Sequence, residues 1–224
     1  MTVSSPELTA STTVSRGRRI AGVLRLVAGG TLLGALIFQI VDKVTNNDMI
    51  PDQYFAYFTI ESAMIISVVL FVGGWMALTR ETDTVLYTTI RLSILAYAVV
   101  MAGVYNGLLR GIPDEGYVVV PWPGEIMHVW IPLFVLLDWL FSPSRPALRW
   151  SALGIVVIYP LAWVAFTLVR GAATGWVPYP FFEFETGFVS IAAYILGIAA
   201  FILAGAALGI LYSRRRAPRS EAGS

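Results

Sequence analysis

The sequence predicts an all-α membrane protein, a single bundle of six transmembrane helices with both termini in the cytoplasm. Of its 224 residues, 57% are hydrophobic and only 13% are charged. The mean hydropathy of +0.74 is too high for a soluble domain. Six apolar runs, each long enough to cross a bilayer, are separated by polar segments or by segments containing Gly and Pro.

The six predicted spans cover approximately residues 20–41, 54–78, 86–109, 121–141, 150–169 and 188–212. The first run is too long for a signal-peptide core and lacks a small-residue cleavage site, so we expect it to be retained. Residues 1–15 are polar and rich in Ser and Thr, which predicts a disordered tail. Residues 16–212 then form one transmembrane domain, and residues 213–224 form a basic cytoplasmic tail.

The orientation is predicted from the basic residues, because cytoplasmic segments of membrane proteins collect Lys and Arg. An even number of spans places both tails on the same side. The segments on the opposite side contain only Lys43, Arg110 and Arg170. The segments on the side of the tails contain Arg16, Arg18, Arg19, Arg80, Arg145, Arg149, Arg214, Arg215, Arg216 and Arg219.

The composition excludes several classes of function. Fifteen basic and fourteen acidic residues nearly cancel, and no basic stripe is interleaved with aromatics, so we expect no nucleic-acid partner. The absence of cysteine excludes disulfides, thiol catalysis and thiolate-bound metals, and the single histidine excludes a multi-histidine metal site. The only lysine, Lys43, lies in a loop, which excludes a Schiff-base lysine within a span. We expect no metal and no organic cofactor.

The only histidine, His128, lies about one turn inside the fourth predicted span. Ionisable groups within a span are costly, so they indicate either a functional site or a satisfied polar network. An imidazole with an ordinary pKa of about 6.5 is suited to act as a general base. The alternative is a structural imidazole that bonds to a neighbouring helix.

Four other polar residues are expected at the depth of His128 or close to it. Thr59 is a candidate nucleophile, although a threonine in a membrane helix commonly bonds to the carbonyl one turn earlier. Ser62 shares nearly the same helical face as Thr59 and is a candidate oxyanion donor. Glu125 either orients the imidazole or complements the helix dipole. Asn106 either donates to an oxyanion or bridges two helices.

The remaining sequence motifs reduce the number of possible catalytic mechanisms but do not decide between an enzyme and a non-catalytic protein. No HExxH motif and no Gly-x-Ser followed by a histidine two spans later is present, which leaves a hydroxyl nucleophile paired with His128. Tyr179, in the aromatic loop before the last span, is expected in the same layer and suits an interfacial aromatic belt. The alternatives are a non-catalytic protein that binds or transports a lipid or small solute, and a structural or assembly partner.

A family resemblance rests on five segments that occur in order between about residues 20 and 210. They are YFTIES, VYNGLLRG, MHVWIPLFVLLDWL, YPLAW and RGAATGWVPYPFFEFETGF. Together they resemble the androgen-induced integral membrane protein family, which includes the androgen-dependent TFPI-regulating protein and many bacterial relatives. The most specific part is the H-x-x-x-P-x-x-x-x-x-D-W spacing from His128 through Pro132 to Asp138.

The resemblance implies a six-span hydrolase of lipid esters, since the animal members cleave fatty acid esters of hydroxy fatty acids. It implies that Thr59 is the nucleophile and His128 the accompanying histidine. The chain departs from residues frequent in bacterial relatives at Glu61, Ala63 and Glu183, which leaves the pair intact and bears on the substrate. The implied partners are a lipid or fatty acyl ester and the bilayer, and the implied location is the bacterial inner membrane.

Overall fold

The structure is a computed structural model that describes residues 14–112 and 117–216. Within these residues, six helices are long and apolar enough to cross a membrane, and no strand occurs. The predicted six-helix, all-α architecture is therefore confirmed. The helices are α1 (Arg16–Thr45), α2 (Phe58–Thr79), α3 (Val85–Leu109), α4 (Trp122–Phe141), α5 (Ala152–Thr174) and α6 (Phe188–Arg216).

The helix ends differ from the predicted spans where local capping or turn geometry decides them. α1 begins before its apolar run because the Ser15 side chain accepts a hydrogen bond from the Arg18 amide at 3.4 Å. α2 begins later than predicted because Pro51–Tyr54 forms a separate single turn. α6 continues to Arg216, so the first residues of the predicted basic tail are helical. The rest of the predicted tails, residues 1–13 and 217–224, lies outside the described residues.

α3 is the central helix of the bundle. It packs against α2, α4, α5 and α6, whereas α1 packs mainly along α2. The α1–α2 crossing is close because glycines meet there: a Cβ added to Gly22 would lie 2.9 Å from the carbonyl oxygen of Gly74. Small residues of this kind allow membrane helices to approach with good packing.

Two prolines inside helices free carbonyl groups that α3 then uses. A proline has no N–H to donate to the carbonyl four residues earlier. Pro160 of α5 leaves the Val156 carbonyl free, and this oxygen accepts the Tyr97 hydroxyl of α3 at 2.8 Å. Pro132 of α4 likewise frees the His128 carbonyl, which accepts a side-chain amide of α3. Hydrogen bonds thus fasten α3 to both α4 and α5.

Both ends of the chain's helical part lie at one end of the bundle, called here the termini end. Arg18, at the start of α1, bonds there to Asp83 of the α2–α3 loop, and Ser213 of α6 accepts the Leu148 amide of the α4–α5 segment at 3.1 Å. The opposite end, where α2, α4 and α6 begin, is called the site end. We predict from the arginine distribution that the termini end faces the cytoplasm.

A buried ion-pair network connects the helices at the termini end. Asp83 pairs with Arg18 at 2.9 Å and with Arg91 at 2.7 Å. Asp138 pairs with Arg91 at 2.6 Å and with Arg25 at 2.9 Å. Arg91 and Asp138 thus pair directly, and the network links α1, α3 and α4.

Candidate functional site

Thr59 and His128 meet at the site end. Thr59 lies in the first turn of α2, and its Oγ1 atom lies 3.3 Å from Nε2 of His128 in α4. Because α2 and α4 both begin at this end, two residues near their starts reach similar depth. The structure therefore brings together the two side chains on which the predicted chemistry depends.

The helix that carries His128 is not a regular α-helix at that position. α4 contains a π turn at Ile126–Trp130, and α3 ends in a π turn at Tyr105–Leu109. π turns are rare and occur frequently at functional sites. Here the two widened turns face each other, and the rings of Tyr105 and His128 stack with centroids 3.7 Å apart and planes inclined by 10°.

The backbone fixes which nitrogen of His128 carries the proton. Nδ1 lies 2.8 Å from the carbonyl oxygen of Gly124. Since a carbonyl oxygen can only accept, Nδ1 is protonated, and Nε2 of the neutral ring is left as an acceptor for the Thr59 hydroxyl. This is the arrangement that a general base requires. The Gly124 carbonyl takes the orienting position that a carboxylate holds in Ser-His-Asp triads.

The loop between α5 and α6 places a third polar group beside Thr59. The Tyr179 hydroxyl accepts a hydrogen bond from the Thr59 amide at 3.4 Å and adjoins the Thr59 side chain. Burial raises the pKa of Tyr179 to about 12, so its phenol remains protonated at neutral pH. Tyr179 lies at the level of Thr59, as expected, but it contacts the site and not an interfacial aromatic belt.

An elongated apolar cavity opens from Thr59 between α2, α3, α5 and α6. The empty space within it and in front of its open side, solvent included, amounts to about 740 Å³. The lining residues that carry hydroxyl groups are Thr59, Tyr105 and Tyr179, all at the site end. Its walls along α3 and α6 are aliphatic: Val100, Met101, Val104, Ile195, Ile198 and Ile202. Thr59 thus lies at the polar end of an otherwise apolar space, and His128, which does not itself line the cavity, contacts Thr59 there.

Asn106 and Glu125 fasten α3 to α4 behind His128 and do not line the cavity. The Asn106 amide donates to the His128 carbonyl at 3.3 Å, and its Oδ1 accepts from Arg110 at 2.8 Å. Glu125 forms an ion pair with Arg110 at 2.8 Å. Asn106 therefore bridges helices in this structure, and the Gly124 carbonyl, rather than the Glu125 carboxylate, bonds to the imidazole.

Ser62 is completely buried, on the next turn of α2 after Thr59. Its hydroxyl adjoins that of Tyr159 in α5. It does not line the cavity. The shared helical face that the sequence predicted for Thr59 and Ser62 therefore does not give the serine access to the same space.

The fold and the site define a polytopic six-helix membrane protein with a threonine–histidine pair at the polar end of an apolar cavity. Comparisons with protein-family models, with curated proteins and with solved structures find no match. Within residues 14–112 and 117–216, no group of three or more His, Cys, Asp or Glu side chains is arranged to hold a metal ion.

Proposed function

We propose that the protein is an intramembrane hydrolase of lipid esters, with Thr59 as nucleophile and His128 as general base. The observation that carries the proposal is the 3.3 Å contact between the Thr59 hydroxyl and His128 Nε2 at the polar end of the cavity. A hydroxyl nucleophile is weak until an adjacent base accepts its proton, and His128 is held in the tautomer that can do so.

The reaction has two halves. In the first, Thr59 Oγ1 attacks the ester carbonyl carbon while its proton passes to His128 Nε2. The tetrahedral intermediate collapses, and His128 returns the proton to the departing alcohol, which leaves an acyl-threonine. In the second half, His128 takes a proton from water as the water attacks the acyl carbonyl. Collapse of that intermediate releases the fatty acid and restores the Thr59 hydroxyl.

The shape and lining of the cavity favour a long acyl chain as the group that it holds. Ile202 lies near the middle of α6, so the cavity extends deep into the bundle. The lining residues that carry hydroxyl groups all lie at the site end. Such walls offer methylene groups the same apolar contact that lipid tails do, whereas they would leave a polar group without a hydrogen-bond partner. A fatty acyl ester, such as a fatty acid ester of a hydroxy fatty acid, likewise has a polar ester group at one end of a long apolar chain.

The proposal includes membership of the androgen-induced integral membrane protein family and a bacterial inner-membrane location with cytoplasmic termini. The proposal is supported by the fact that the segments carrying the resemblance meet at one site. Four of the segments that carry the resemblance supply Thr59, Tyr105, His128 and Tyr179, which come together at the site. The fifth, YPLAW, supplies part of the cavity wall, including Trp163.

A second candidate is a non-catalytic protein that binds or carries a lipid, because the apolar cavity alone suits that role. The two functions differ in the demand that they place on Thr59 and His128. Hydrolysis needs both groups, whereas burial of an acyl chain depends mainly on the cavity walls. Binding without turnover, unaffected by substitution of the pair, would favour the second candidate.

The deciding experiment measures ester hydrolysis by the purified full-length protein in lipid nanodiscs. Thr59→Ala and His128→Ala are each expected to lower kcat at least about 10³-fold, because either change removes the nucleophile or its base. Ser67→Ala is the matched control, since Ser67 is a buried hydroxyl of the same helix that bonds only to the Ala63 carbonyl among the described residues. Full activity in either site variant would contradict the assignment.

A further inference from the structure

The proposed reaction creates a negative charge that the pair itself does not stabilise. When Thr59 attacks the ester, the carbonyl oxygen becomes an oxyanion, and a hydrolase needs donors aimed at this atom. Asn106 is engaged behind His128, and Ser62 is buried away from the cavity. Another donor is required beside Thr59.

We propose that the Tyr179 hydroxyl is the oxyanion donor of this site. This inference rests on the proposed function, and it adds a catalytic residue that the threonine–histidine pair does not include. Tyr179 lines the same cavity as Thr59 and adjoins the Thr59 side chain. Two oxygens bound to one tetrahedral carbon are immediate neighbours, so a donor next to Thr59 Oγ1 also lies close to the oxyanion.

The hydrogen-bond roles leave the Tyr179 proton available. The Tyr179 oxygen accepts the Thr59 N–H, which occupies one lone pair and leaves the O–H as a donor. In the resting site the Thr59 hydroxyl donates to His128, which leaves its lone pairs open to the phenol proton. Attack by Thr59 turns its oxygen into a poorer acceptor and creates the oxyanion beside it. The phenol proton then has a stronger acceptor within reach, and this interaction develops only in the transition state.

The position of Tyr179 is held by the sequence around it. Pro180 restricts the preceding residue to extended backbone, and Tyr179 has φ −138° and ψ 140°. Its ring stacks on Phe181 with centroids 5.2 Å apart and meets the ring of Tyr57 edge-on at 5.5 Å. Aromatic contacts of this kind fix a ring in place, so the hydroxyl is oriented before substrate arrives.

The test is Tyr179→Phe in the full-length protein, with kcat and KM measured for a fatty acyl ester. The variant keeps the ring and loses the hydroxyl, and kcat is expected to fall about 10²- to 10³-fold with KM nearly unchanged. Tyr54→Phe is the control, because it removes a comparable buried hydroxyl that donates to Gln39 at 2.9 Å. A kcat within about threefold of wild type in Tyr179→Phe would overturn the inference.

A second variant separates oxyanion binding from a purely structural bond to the α2 amide. A fluorinated tyrosine placed at position 179 keeps the hydroxyl and lowers the phenol pKa. A phenolate still accepts the Thr59 N–H but cannot donate, so activity should fall as pH rises through the lowered pKa. Wild-type activity should not fall in that pH range, because burial raises the pKa of Tyr179 to about 12. Matching pH profiles for the two proteins would contradict the donor role.

The two proposals fail in different ways. Should Thr59→Ala and His128→Ala keep full activity, the threonine–histidine mechanism itself is wrong. Should those variants lose activity while Tyr179→Phe and the fluorinated protein behave as wild type, only the oxyanion assignment is wrong.

Discussion

The two ends of the bundle both bury polar side chains, but they do so in opposite ways. At the termini end, three guanidinium groups and two carboxylates form a continuous chain of ion pairs with contacts of 2.6 to 2.9 Å. At the site end, neutral groups meet at longer distances, 3.3 and 3.4 Å, beside an open cavity. The first arrangement stabilises helix packing, whereas the second leaves polar atoms available to a ligand.

The same helices serve both ends. α4 carries Asp138 at the termini end and His128 at the site end, and α3 carries Arg91 and Tyr105 in the same way. The ion pairs therefore lie on the same helices as the π turns, at the opposite end of the bundle. Substitutions at the termini end should therefore act on stability, and those at the site end on catalysis.

The largest change in stability is expected from Asp138→Asn. It removes the carboxylate shared by Arg25 and Arg91 and leaves two buried guanidinium groups with an incomplete counter-charge. Breaking a buried pair in this way costs about 3–5 kcal/mol. The measurement is thermal unfolding in detergent. Asp48→Asn, which breaks a partly exposed pair with Lys43, should change stability by less than about 1 kcal/mol. Equal melting temperatures for the two variants would remove the contrast between buried and exposed pairs.

An intermediate effect is expected from Tyr105→Leu, which removes the ring stacked on His128. Such stacking contributes about 0.5–1.5 kcal/mol, so loss of imidazole positioning should lower kcat about 2- to 10-fold with little change in melting temperature. Tyr105→Phe keeps the ring and serves as the control at wild-type activity. If Leu and Phe gave the same kcat, stacking would have no role in positioning the base.

The smallest effect is expected from Glu125→Gln. Its carboxylate pairs with Arg110 where both side chains are about two-fifths exposed, and the imidazole Nδ1–H bonds to the Gly124 carbonyl instead. Exposed pairs contribute little, so kcat should stay within about twofold of wild type. Steady-state kinetics measures this directly. A large loss of kcat would instead assign Glu125 the orienting role that the Gly124 carbonyl takes here.

The sequence predicts the six helices and a similar depth for Thr59 and His128, because span order is encoded locally. The pairing of these two residues is predicted only through the family resemblance. The partner of Arg25 could not be predicted, because a single arginine within an apolar run gives no indication of its partner on another helix. Tyr179 is misjudged because a belt tyrosine and a cavity tyrosine look alike in sequence, and only the packing of the α5–α6 loop against α2 distinguishes them.

The most direct test of the central claim is covalent labelling of the purified protein with a fluorophosphonate lipid analogue, followed by mass spectrometry of the modified peptide. Thr59 is the predicted site of phosphonylation, because only an activated hydroxyl at the polar end of the cavity should react. Labelling should be lost in His128→Ala and retained in Ser67→Ala. An adduct on another residue, or an unmodified Thr59 in a protein that hydrolyses esters, would contradict the account.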